Sequence, residues 1–427
     1  MLWDILLTLP ILVLVIMTAV RCLDAWGMAL PGPGWAERSG AGGPDAPEER
    51  ELLKVFTFAL LFRVFMLLVM FLCSMLSGGD NGLHGLTGQF TRWDTGHYIK
   101  LIERGYTGYV EDGQHLFLVF YPLYVWAARA VRLVVPNTII AGLMVSSLSY
   151  AWGCCYVYRI AAKLLGRQGA RDSVVLLSLF PFSFFFGTVM TEGLFLLTTS
   201  AACCYAMERR WLLYGLWGAM AALTRMTGVL VIIPAAAELL GELRPFERPI
   251  AQSLKRSAVG LIKKLPALLM PLLGSAGYLL LNWYVDGDPF AFRAHQAHWF
   301  QGGMWISRVL RYLWDYFQAN IASANGYAIW LPELALFVLV FAVIFLAADR
   351  REARPGLIAY ALCYFIVNYS LSWLLSAGRY MSCCFPLFIF AAVLIKDRPR
   401  LRLGAFAAEG VLLGVYFYAY LGGAQVM

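Results

Sequence analysis

Three features of the sequence predict a polytopic α-helical membrane protein. Of its 427 residues, 60% are hydrophobic and 14% are charged, against about 25% charged in an ordinary soluble protein. The apolar residues fall in runs of roughly 20 or more, long enough for a helix to cross about 30 Å of hydrocarbon. Those runs lack the alternation of apolar and polar residues, in segments of about ten, that a transmembrane β-barrel requires. The net charge of +8 is then the excess of Lys and Arg expected in cytoplasmic loops, not the mark of a nucleic-acid partner.

The first apolar run covers residues 5–23. The chain opens Met-Leu-Trp-Asp and has no basic side chain before Arg21, unlike a signal peptide, so a retained helix is expected. A polar linker follows, with Pro31-Gly32-Pro33-Gly34 and Gly42-Gly43-Pro44 as its breakers. The second run is Leu52 to Leu76. Later runs cover approximately 138–165, 173–207, 211–240, 265–285, 328–347, 356–376, 381–395 and 404–423, and those at 173–207 and 211–240 each contain a break. The chain thus divides into an N-terminal helix with its linker, residues 1–51, and a transmembrane domain, residues 52–427. Two large loops, about 77–137 and 286–327, belong to the second part. The nine cysteines lie in apolar stretches, without a CxxC, and read as small packing residues.

Orientation follows from charge. Placing the short basic connections in the cytoplasm puts about two-thirds of the 34 Lys and Arg there. The two large loops then face outward. The segment Leu116 to Val135 is apolar enough to span, but a crossing there would turn every later basic loop outward. It is expected to lie along the membrane surface, with Arg129 and Arg132 at its polar edge.

The strongest local pattern is Arg92-Trp93-Asp94-Thr95-Gly96-His97-Tyr98, in the first outer loop. Asp94 and His97 are three apart and share a helix face. A carboxylate where a lipid-linked acceptor meets the membrane can act as a general base; an Asp before a short helix can equally be its N-cap. Asp288-Pro289 reads as N-cap and first residue of a helix. His295 and His298 lack the i, i+4 spacing and third ligand of a zinc helix, so no metal is expected. Glu111 and Asp112 read as solvated loop charges. No P-loop, GxGxxG or GxSxG occurs. A nucleotide-sugar donor would ordinarily need a soluble binding domain, which the sequence lacks.

The pattern around Asp94, with Gly105-Tyr106 and Phe120-Tyr121-Pro122-Leu123-Tyr124 after it, resembles the first luminal-loop motif of the PIG-V family. That family comprises the second mannosyltransferase of GPI-anchor assembly and its bacterial relatives. Further resemblances follow in order: Thr191-Glu192-Gly193-Leu194-Phe195 after Phe180-Pro181, Thr224-Arg225-Met226-Thr227-Gly228, Gly287-Asp288-Pro289-Phe290, and Gly378-Arg379-Tyr380 before Phe385-Pro386. They are spread over most of residues 90–390 and leave the first helix and linker uncovered.

The resemblance implies an all-α, polytopic GT-C fold with amphipathic helices in the first outer loop and an active site on the non-cytoplasmic face. It implies an inverting glycosyltransferase that takes a sugar, mannose by family habit, from a polyprenyl- or dolichyl-phosphate donor to a lipid or glycan acceptor. Asp94 takes the role of base. Arg225 and Arg379 are candidates for the donor phosphate, since each interrupts apolar sequence where an unpaired charge is costly. His97 can orient Asp94 or contact a sugar hydroxyl. Glu192 can bind hydroxyls or cap its helix. Trp93 and Tyr98 can stack on sugar or belong to an interfacial aromatic belt. No cofactor is implied beyond the lipid-phosphate donor. The sequon Asn368-Tyr369-Ser370 lies inside an apolar run, which fits a bacterial plasma membrane better than the ER. Two other functions stay open: a lipid or lipid-linked-sugar flippase, and a non-catalytic assembly subunit.

Overall fold

The computed structural model describes residues 2–28, 30, 47–76, 88 and 92–426. The linker breakers at 31–34 and 42–44, and most of 77–91, lie outside them. Seventeen α-helices make up most of the described chain. They are α1 (Leu2–Ala25), α2 (Glu49–Leu76), α3 (Asp94–Arg104), α4 (Pro122–Arg132), α5 (Thr138–Leu179), α6 (Glu192–Met207), α7 (Trp211–Thr224), α8 (Ile232–Leu243) and α9 (Ile250–Leu269). They continue with α10 (Pro271–Asp286), α11 (Ala291–His298), α12 (Ile306–Ala319), α13 (Leu331–Ala348), α14 (Pro355–Asn368), α15 (Ala377–Ser382), α16 (Pro386–Ile395) and α17 (Pro399–Leu421).

Seven segments among the described residues are long and apolar enough to cross a membrane. Two expected spans are shorter than their apolar runs. The run at 356–376 forms the 14-residue α14, and the run at 381–395 the 10-residue α16. At 1.5 Å per residue, each falls short of the hydrocarbon thickness. The chain leaves helical geometry between them, at residues 369–376, and that departure builds part of a cavity wall. The breaks in the two long runs are real. Residues 180–191 separate α5 from α6, and an extended Arg225 ends α7. The basic stretch after Arg244 is largely helical, forming α9, not a loop.

Local chemistry accounts for many boundaries. The Asn137 side chain accepts from Ile140 N at 3.0 Å and caps α5. Proline opens α4, α10, α13, α14, α16 and α17 within their first two positions, where its missing N–H costs nothing. At Gly166 the backbone takes φ 75° and turns α5 sharply, a conformation open to glycine. The segment Leu116 to Val135 holds one 3₁₀ turn and the 11-residue α4. At about 16 Å that helix is too short to span, as the charge argument requires.

The core runs along α5, α6 and α16, while α1, α2 and α17 present Leu, Val and Phe outward, as lipid-facing helices do. Two buried arginines fasten this shell. Arg63 on α2 donates to the carbonyls of Ser183 and Ser178, and its guanidinium lies 4.4 Å from the Tyr150 ring centre. Arg21 on α1 donates to Ala348 O at 2.5 Å and Ala353 O at 2.7 Å, satisfying the last carbonyl of α13 and one in the turn before α14. The other end of α1 meets the second large loop, where Asp4 accepts from Ser307 and Trp305 Nε1 donates to Thr8 at 3.1 Å. Replacing Arg21 with Met is expected to destabilise the protein by about 1–3 kcal/mol, the cost of orphaned buried acceptors. Thermal unfolding in detergent measures it.

Candidate active site

The segment before α3 is anchored from the far end of the chain. Arg92 donates to the carbonyl of Tyr420 and, at 3.3 Å, to that of Leu421; the Trp93 ring lies 5.2 Å from that of Tyr420. Trp93 precedes the helix at φ 51°, and Asp94 is the first helical residue. Its carboxylate does not cap α3. Oδ2 instead accepts from Arg379 Nη1 at 2.6 Å, so the N-cap alternative gives way to an ion pair.

That pair opens a chain of four charges. Arg379 Nε also donates to Glu192 Oε1, and Arg225 Nη2 donates to the same oxygen. Arg225 Nε reaches Thr191 Oγ1 at 2.8 Å. Thus Asp94, Arg379, Glu192 and Arg225, all singled out from sequence, meet in one network. Their exposures are graded: Glu192 is 0%, Arg379 6%, Arg225 14% and Asp94 33% exposed. The two carboxylates and two guanidiniums sum to no net charge, the condition under which burial is tolerable.

Asp94, Arg225 and Arg379 open on a cavity of about 490 Å³. Tyr98 lines it too, set edge-on to Phe120 at 4.7 Å and Tyr124 at 5.4 Å. The facing wall comes from the second large loop through Gln296, Trp299, Phe300 and Gln301, and from Trp373, Tyr364 and Tyr380. Three named candidates are not on the wall. Glu192 starts α6 with its carboxylate buried off the cavity wall, where Oε1 couples the two arginines. Trp93 packs on Tyr420. His97 points elsewhere: its ring stacks on Phe117 at 4.1 Å, and Nδ1 lies 2.8 Å from Tyr109 Oη. Tyr109 donates to Glu111 at 2.7 Å, so His97 Nδ1–H is the donor to Tyr109. Burial lowers the His97 pKa below the ordinary histidine range. Glu111 is held below the usual carboxylate range by the Tyr109 hydroxyl and by Lys100. It is a partly exposed loop charge, 38% exposed, that also accepts from Tyr109 and Lys100.

Two details of the second loop also differ from expectation. Helix α11 starts at Ala291, and Asp288 accepts from Phe290 N at 2.8 Å in a turn ahead of it. Asp286 bridges His115 at 2.7 Å and His295 at 2.8 Å, tying the two large loops together. No group of three or more His, Cys, Asp or Glu among the described residues is arranged to hold a metal. Glu333 and the wall residues Phe300, Tyr364 and Trp373 were not singled out from sequence. Of these, Glu333 carried a signal: it is a lone carboxylate in an apolar run.

Residues 121–280 match the model of a family described as dolichyl-phosphate-mannose-protein mannosyltransferase. No curated protein matches the chain in sequence. Among solved structures, ArnT from Cupriavidus metallidurans bound to undecaprenyl phosphate is similar, with a TM-score of 0.50 and 15% identity over 82% of this chain and 62% of ArnT. The archaeal oligosaccharyltransferase AglB from Archaeoglobus fulgidus, in complex with an inhibitory peptide and a dolichol-phosphate, gives a TM-score of 0.48 and 13% identity over 88% of this chain and 56% of AglB. This chain therefore spans about three-fifths of the length of those proteins. With the membrane-length helices and the outer-loop helices in place, the likeness to ArnT gives the architecture: the chain has the all-helical, multi-pass GT-C fold.

Proposed function

We propose that this protein is a membrane glycosyltransferase that moves a sugar from a polyprenyl-phosphate carrier to a lipid or glycan acceptor, with inversion. The observation that carries the reading is the position of Asp94: a partly exposed carboxylate on a cavity wall, held by a guanidinium that is itself anchored on Glu192 beside Arg225. The acceptor hydroxyl attacks the anomeric carbon, its proton passes to Asp94, and the bond from that carbon to the phosphate oxygen breaks. The leaving group is a polyprenyl phosphate, which departs without a general acid. What it requires is positive charge, which Arg379 and Arg225 supply by charge-assisted hydrogen bonds.

The charge count gives the donor a second role. The network is neutral before a phosphate arrives, so an incoming anion competes with a carboxylate for Arg379. Glu192 is enclosed between both arginines and stays. Asp94 is the more exposed partner, and its release leaves it free to accept a proton.

Mannose as the sugar rests on the family description for residues 121–280 and on the PIG-V resemblance of the quoted motifs. ArnT, whose solved structure holds undecaprenyl phosphate, supports a polyprenyl carrier. The distribution of Lys and Arg supports a site on the non-cytoplasmic face, and the sequon inside an apolar run supports a bacterial plasma membrane. The scheme draws its positive charge from guanidiniums and invokes no metal or cofactor.

The test is transfer of label from polyprenyl-phosphate mannose to membrane lipid or glycan by the purified protein in proteoliposomes. Labelled product is expected. Flipping of the lipid-linked sugar without transfer, or no turnover with any lipid-phosphate sugar, overturns the proposal.

A further inference from the structure

Glu333 stands in the first turn of α13 and is 1% exposed. Its hydrogen-bond partner is a peptide group, not a cation: both carboxylate oxygens accept from the backbone N–H of Ala377, at 2.9 and 3.1 Å. Burying a carboxylate away from water costs several kcal/mol unless something fixed offsets it. Here the offset is an otherwise unpartnered N–H in the first turn of α15. Ala377 lies two residues before Arg379, on the same turn.

The main chain of Glu333 is engaged as well. The Tyr369 hydroxyl donates to its carbonyl at 2.9 Å. The non-helical segment 369–376, with the first residue of α15 after it, is thus held at both ends by one residue. Between those points the segment is laced to the second large loop: Met304 N donates to Ser370 O at 2.7 Å, and Ser372 N to Gly302 O at 2.9 Å. Leu371, Trp373 and Ser376, along its length, line the cavity.

We propose that Glu333 is a positioning residue for the lipid-phosphate subsite, acting through the Ala377 N–H to place the Arg379 guanidinium. The inference rests on the function proposed above. Arg379 must present Nε to Glu192 and Nη1 to Asp94 or a phosphate at once, which leaves its backbone little freedom. A misplacement of about 1 Å in such a group costs on the order of 10²-fold in rate.

The experiment compares wild type with Glu333→Gln, Glu333→Asp and Glu333→Leu, each as the full chain in detergent. Binding of polyprenyl monophosphate is followed by the fluorescence of the cavity tryptophans, and melting temperature is recorded alongside. Glutamine keeps an acceptor at the right distance, aspartate keeps the charge but falls short, and leucine keeps neither. Wild type and Gln are expected to bind alike, while Asp and Leu bind about tenfold more weakly. The donor KM should rise in the same order, with the acceptor KM unchanged. Wild-type binding in Asp, with loss in Gln, overturns the proposal, because charge and not the N–H contact then matters. Equal binding in all four overturns it too. If the Leu protein does not fold, the Asp and Gln pair decides. A wild-type protein that binds no polyprenyl phosphate overturns the functional reading itself, an outcome distinct from a variant series that binds uniformly.

Discussion

Asp94→Asn is expected to lower sugar transfer by about 10²–10⁴-fold, the usual contribution of a general base, while polyprenyl phosphate binds at least as tightly as in wild type. The two halves of that result arise from the same contact. Asparagine is nearly isosteric and can still face Arg379, so the fold and the cavity persist. It cannot take up the acceptor proton, so turnover falls. It also removes the negative charge that competes with a phosphate for Arg379, so the phosphate meets a guanidinium that is easier to recruit. Initial transfer rates and equilibrium binding of polyprenyl phosphate, on the same preparation, read both effects. Full activity in a normally folded Asn protein places the base elsewhere. Weaker phosphate binding shows that Asp94 does not compete for Arg379.

Arg379→Met is expected to cost both activity and stability. Loss of one preorganised donor to developing charge lowers kcat by about 10²–10³-fold. Removing one member of a buried ionic cluster typically costs about 3–5 kcal/mol. Glu192 keeps Arg225 as a partner, so the lower end of that range is expected. Arg379→Lys separates the two effects. Lysine restores charge beside Glu192 but cannot present two donors in a fixed fork. Melting temperature should recover substantially, while transfer stays low. Recovery of both together would mean that Arg379 acts as a point charge, without the directed contacts to Asp94 and Glu192.

Much of the fold was legible because a bilayer imposes simple rules. A run of apolar side chains long enough to span declares itself. A Gly or Pro break within it marks where the chain turns, as at Pro181 and at the Arg225 turn. That residues 116–135 hold no membrane-spanning helix followed from charge alone. Helix length was less legible. The run at 356–376 stays apolar past Asn368, yet the backbone there leaves the helix to pair with residues 300–304 of the second large loop, a contact no local pattern encodes.

The site residues divide in the same way. Spacing put Asp94 and His97 on one helix face, but their partners differ: Arg379 for the first, Tyr109 and Phe117 for the second. Glu192 is a sequence candidate to bind hydroxyls or cap a helix; the structure adds that its carboxylate is buried, with both guanidiniums on Oε1. Glu333 was passed over, although it is an isolated charge in an apolar run. Its partner is a backbone N–H that becomes available because α15 starts at Ala377.

By itself the sequence determined that this is a multi-pass helical membrane protein, and it named the four charges of the network. Hydrophobic runs of membrane length are local, and so are the rare charges that interrupt them. Only the tertiary structure decided which charges meet. Asp94 and Arg379 are 285 residues apart, and Glu192 and Arg379 are 187 apart. An ion pair reaches only a few ångströms, so chains that distant in sequence must first be brought together by helix packing. Burial then decides the roles: it locks Glu192 between its arginines and leaves Asp94 the carboxylate that can let go.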